Sequence, residues 1–252
     1  RNESYNNLAT SQKELGLFAV GEINLIRALM LQPKYKEAIE NLINIQVQQS
    51  NYQKLENLIS SYVNSPIWKN LTLRASCLCL IYYYTRAEYT KAKYFLGEID
   101  KGINTEKFLS LSEVNRIFVL TYYNYIGQLI LKVPTYSPGK DTPIVYHIGE
   151  SHCLSYAHHM ITIKEKKHKV QPKIILGAKA WHLGSHVDNG YKSFFKELCH
   201  DIPSGSEVFL SFGEIDCRRE EGIFNHCNKY KKSIKDVVVQ TVSNYVKFVA
   251  VS

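Results

Sequence analysis

Three stretches in the second half decide the fold: IVYHIG at 144–149, KIILGAKAW at 173–181 and EVFLSFG at 207–213. Each is a short apolar run closed by glycine or by polar residues. Helical patterns lie between them, from about His152 to Lys166 after the first run and from about Tyr191 to Leu198 before the third. A last pattern carries Ile234, Val237, Val238, Val242, Tyr245, Val246 and Val249 at helical spacing. Apolar strands alternating with helices predict a parallel sheet whose two faces are both covered. With right-handed crossovers, three such strands make a three-layer α/β/α domain.

Upstream of the first strand, VPTYSPGKDTP at 133–143 holds prolines and a glycine that stop a helix. It reads as a linker, so the expected division is a helical domain at 1–132, a linker at 133–143 and a partial α/β domain at 144–252. Within the helical part, Tyr5, Asn7 and Leu8 align with Ile39, Asn41 and Leu42 at an offset of 34 residues. Pro33 and Pro66 each close a unit, Gly16 sits near a helix turn, and Ala28 and Ala92 are small where helices approach. A degenerate third unit turns near Thr85 to Tyr89, and a final helix, Ser112 to Lys132, opens on Ser112 as N-cap and carries Val114, Ile117, Phe118, Thr121, Tyr122 and Tyr125 along one face. The period and pattern resemble the tetratricopeptide repeat, which implies stacked helix pairs and a concave surface for a protein or peptide partner. Tyr82, Tyr83, Tyr84 and Tyr89 suit either such a face or an amphipathic core.

The chain has 252 residues, enough for two domains. Its 31 Lys and Arg against 23 Asp and Glu give a net charge of +8. The excess is scattered, and its densest runs, KEKKHK at 164–169 and KYKK at 229–232, read as solvated helix ends. No nucleic-acid motif accompanies them, so nucleic acid is not the expected partner. The six cysteines do not make a small disulfide scaffold. Cys77 and Cys79 read as core, while Cys217 and Cys227 are placed for a bridge or a weak metal site. With neither a signal peptide nor an apolar stretch of about 20 residues, the expectation is a cytoplasmic protein without a membrane span. The opening on Arg1 and the helical ending at Ser252 read as a fragment.

Ligands of open α/β sheets collect outside the carboxyl ends of the strands. There the first run ends in Gly149-Glu150-Ser151, the second meets Gly177 and runs on to His182, and the third ends in FGEIDCR, Phe212 to Arg218. These blocks resemble those of the SGNH/GDSL hydrolases. The resemblance implies Ser151 as nucleophile, with Glu150 in place of the usual Asp, and Gly177 and Gly213 as the oxyanion-hole glycines. It departs at the third block, where Gly213, Glu214, Ile215 and Asp216 stand for Gly-x-Asn-Asp, and Ile215 brings no donor. Arg218 either substitutes, binds a carboxylate or phosphate, or braces Glu214 or Asp216. The family's Asp-x-x-His block is not found, so the resemblance implies that the base lies beyond residue 252.

Read by position alone, Ser151 is also an ordinary N-cap, and His152, His158 and His159 are surface or packing residues. His182 and His186 have metal-ligand spacing without a third ligand, so neither metal nor cofactor is expected. Two functions follow. One is a serine-dependent ester hydrolase or acyltransferase acting on a small-molecule or carbohydrate ester. The other is an interaction protein whose repeats bind a partner while the α/β domain binds a ligand without turnover.

Overall fold

The computed structural model describes residues 1–49, 52–63, 71–132 and 141–252. One unit comprises Arg1–Lys13 and Leu17–Ser137, the other Glu14–Gly16 and Pro138–Ser252. Most of the expected linker, 133–140, and Pro66 lie outside the described residues. The architecture is α followed by α/β.

Eight helices make up the described first part: α1 (Asn2–Glu14), α2 (Phe18–Leu31), α3 (Lys36–Gln48), α4 (Tyr52–Val63), α5 (Leu73–Thr85), α6 (Tyr89–Ile103), α7 (Glu106–Leu109) and α8 (Glu113–Leu131). Helix α5 is its centre. Apolar nearly all round, it has no face to give to water, and α3, α6 and α8 pack around it. Thr72 caps it, its hydroxyl accepting from the Ala75 N–H at 3.1 Å. The alternatives for the tyrosines are resolved here: Tyr82, Tyr83 and Tyr84 are buried in the core. Tyr83 stacks on Phe95 with ring centroids 5.5 Å apart. Ala87, with φ of 61°, turns the chain between α5 and α6, and Ala92 is fully buried where the helices close.

Ser112 does cap α8, accepting from the Asn115 N–H. The buried face of that helix differs from the expected one. Val119, Tyr122, Ile126 and Ile130 point inward, while Val114 and Ile117 are exposed. The reason is that α8 is apolar on much of its circumference, so its packing against α5 and α6, and not its own pattern, selects the stripe.

In the second unit, β1 (Ile144–Gly149) lies between β3 (Lys166–Ile174) and β4 (Glu207–Ser211), parallel to both, and β2 (Met160–Ile163) pairs antiparallel with β3. The order is β2-β3-β1-β4. Three expectations are corrected. The sheet is mixed and not parallel throughout, because the tight hairpin that brings β2 beside β3 forces it to run antiparallel. No helix spans 152–166: one 3₁₀ turn, Ser151–Leu154, is followed by a hairpin. The second strand also ends at Ile174, and the rest of KIILGAKAW forms a turn and then α9 (Ala180–Leu183). The hairpin turns at Lys164 and Glu165, both at positive φ, as a two-residue hairpin turn of the right hand requires. The basic run that reads as a helix end is therefore a hairpin turn and the start of a strand, in which His168, Val170 and Pro172 are buried at every second residue.

Three more helices complete the unit: α10 (Gly190–His200), α11 (Gly222–Tyr230) and α12 (Ile234–Ala250). α12 packs on α9 and α11, burying Val237 and Thr241. The edge strand β4 is not covered, since Val208, Phe209 and Leu210 stay 36–43% exposed. All six cysteines are free, which overturns the bridge considered between Cys217 and Cys227. No described helix is long and apolar enough to cross a membrane.

Candidate functional site

The register gathers the residues singled out from the sequence. Gly149 at the end of β1 is level with Ile174 of β3 and Ser211 of β4. The chain leaves all three strands at the same end of the sheet. Ser151 follows β1 by two residues, Gly177 follows β3 by three, and Gly213 follows β4 by two. The ends are tied by backbone bonds, Ile175 N–H to Gly149 O at 2.8 Å and Glu150 N–H to Ser211 O at 3.2 Å. Gly177 and Gly213 have φ of +71° and +124°, conformations that a side chain would strain. Among the described residues, the N–H groups of Ser151, Gly177 and Gly213 donate to no acceptor.

Glu150 is the hub at the first turn. Only 1% exposed, its carboxylate accepts from the Ser151 hydroxyl at 3.1 Å, the His152 N–H at 3.2 Å and His152 Nδ1 at 2.9 Å. Three donors offset the cost of burying that charge. The arrangement has a second consequence. The His152 N–H, which a long helix would have directed at a substrate, is taken by Glu150, and a single 3₁₀ turn carries little dipole.

At the third turn, Glu214 and Asp216 part company. Glu214 is exposed and holds Arg218 through both oxygens, at 3.1 and 2.8 Å. That bond holds its carboxyl below the usual range. Asp216, 2% exposed, accepts from the N–H groups of Ala180 and Trp181 at 2.8 and 3.0 Å. It fastens the start of α9 to the turn after β4. Ile215 is buried and contributes no donor.

One potential ligand set was not visible in sequence spacing. Glu150, His152 and Glu214 bring ligand atoms within 4.8 Å of one another. Arg218 already bonds both oxygens of Glu214, so a cation there would compete with the guanidinium for them. His182 and His186 form no three-ligand cluster among the described residues. His182 instead stacks on Tyr191, centroids 4.1 Å apart, and its Nδ1 accepts from the Lys179 N–H. Burial, helped by Lys179, pushes its pKa down to about 4.

A pH dependence follows. Unfolded, His182 takes up a proton near pH 6.5; folded, it stays neutral until about pH 4. Its contribution is therefore complete above pH 6.5 and is lost as pH falls from there to about 4, on the order of 3 kcal/mol at most. His147, also buried and lowered in pKa, acts in the same direction. Urea midpoints measured across this range should fall toward acid, and His182→Gln should flatten the slope.

No family model, curated protein or solved structure matches the chain.

Proposed function

We propose that the α/β unit is a serine-dependent ester hydrolase or acyltransferase of the SGNH/GDSL kind, acting on an acylated carbohydrate or similar small ester. The observation that carries this reading is the set of uncommitted N–H groups of Ser151, Gly177 and Gly213 at three adjoining strand ends. Such groups are suited to an oxyanion, which backbone donors stabilise more than they stabilise the ground-state carbonyl. In this reading the Ser151 oxygen forms a bond to the acyl carbon. Its proton passes to the Glu150 carboxylate, the acceptor within hydrogen-bond reach, which in this reading stands in for the family's Asp-x-x-His base, and the leaving alkoxide then takes up that proton. Water, or the hydroxyl of an acceptor, releases the acyl group in the second half.

The helical unit is read as a tetratricopeptide-like array that docks a protein or peptide. Its support is the 34-residue offset and the pairs α1/α2, α3/α4 and α5/α6, with Ala28 and Ala92 buried. The aligned positions are not equivalent in burial, since Ile39 and Leu42 are buried and Leu8 is exposed. The three-layer arrangement remains part of the same proposal, as does a cytoplasmic setting, to which six free thiols are suited.

Two observations favour a second reading, a domain that binds a ligand without turning it over. A buried carboxylate beside the Ser151 oxygen opposes negative charge on the substrate, and Ile215 supplies no donor. Hydrolysis of p-nitrophenyl acetate separates the two. The esterase reading predicts protein-dependent release that Ser151→Ala abolishes, and equal release by both proteins selects the binding reading.

A further inference from the structure

A cavity of about 260 Å³ lies between α9 and α11, apart from the residues assigned above. One wall is a ladder of three rings: Trp181 to His226 with centroids 4.6 Å apart, then His226 to Tyr230 at 4.6 Å. His226 and Tyr230 are four residues apart on α11 and so share a face. Asp216 fixes the backbone from which Trp181 projects, accepting from its main-chain N–H. The ladder is not spent on the core, because Trp181 is 37% and Tyr230 54% exposed. Aromatic rings left at the mouth of a polar cavity offer a face to a ligand.

The polar groups around it are mainly donors. Lys179 is paired with Glu221 at 2.9 Å, and Lys229 forms no ion pair among the described residues. His182 accepts at Nδ1 from the Lys179 N–H, so in its neutral form the proton is on Nε2. Among the described residues no carboxylate lines the cavity, and Glu221 touches it only through its pair with Lys179. A ligand that brings acceptors and negative charge together with a ring suits this lining. Successive rings of the ladder are tilted by 47° and 42°, which makes the wall curved. A flat base meets only one ring of such a wall, whereas a puckered ring with C–H groups on its faces meets more than one.

We propose that this cavity binds an anionic saccharide, a pyranose bearing a carboxylate or phosphate, with the ring against Trp181 and Tyr230 and the anion toward Lys179 and Lys229. The inference rests on the cavity alone and is independent of Ser151.

The test is calorimetric titration of the full chain with sodium glucuronate, glucose 6-phosphate, glucose and adenosine monophosphate. The first two should bind saturably with Kd in about the millimolar range, and glucose roughly tenfold more weakly. Lys229→Gln and Tyr230→Ala, both at exposed positions, should each weaken glucuronate about tenfold without lowering Tm. Ser151→Ala should bind as the parent does, so failure of the esterase reading leaves this one standing. The proposal is overturned if neither anionic sugar saturates by about 50 mM, or if glucose binds as well as glucuronate. It is likewise overturned if the two cavity variants bind unchanged, or if adenosine monophosphate binds more tightly than both sugars.

Discussion

Replacing Asp216 with Ala should destabilise the α/β unit by about 3–5 kcal/mol, since it removes a buried charged acceptor from two N–H groups. Ala180 and Trp181 open α9 and have no other acceptor for those hydrogens among the described residues. Total stabilities are only on the order of 5–15 kcal/mol, so the loss should be evident in a urea melt. Asp216→Asn keeps one acceptor oxygen and should recover part of it. If Asp216→Ala melts like the parent, the residue does not hold α9.

Gly149→Ala should be nearly as severe. Its added Cβ would meet Ser211 Oγ inside van der Waals contact and lie 2.7 Å from the Ser211 carbonyl oxygen, where β1 and β4 end together. The strands must separate there, at a cost of about 2–3 kcal/mol. The turns carrying Ser151 and Gly213 would part with them. A double variant with Ser211→Gly relieves the clash with the hydroxyl and leaves that with the carbonyl, so it should recover only part of the loss. Full recovery would locate the crowding in the Ser211 side chain alone.

The residues that could be read in sequence were those whose role is local. IVYHIG and EVFLS are strands because short apolar runs are closed by turn residues, and α12 shows its helical spacing over 17 residues. Ser112 announces its helix by capping chemistry. Where the outcome depends on distant neighbours, the sequence pattern misleads. The run at 164–169 has helix-compatible lysines, and only pairing with β1 and β2 makes its part from Lys166 onward strand. Lys164 and Glu165 turn at positive φ without the glycine or asparagine that would have marked the site. The strand-end turns were legible because glycine and acidic residues interrupt apolar runs. What Asp216 binds was not, because its partners lie 35 and 36 residues away. The ring ladder is hidden for the same reason. His226 and Tyr230 show i,i+4 spacing, yet Trp181 joins them only through the fold.

Whether Ser151 is an activated nucleophile is decided by covalent labelling, which requires no known substrate. The parent chain and Ser151→Ala are incubated with a fluorophosphonate, and the intact mass and labelled peptide are read by mass spectrometry. An activated Ser151 gives one adduct per chain, on that residue, absent from the Ala variant. An unmodified parent, or an adduct that persists in Ser151→Ala, would contradict it and leave the α/β unit as a ligand-binding domain.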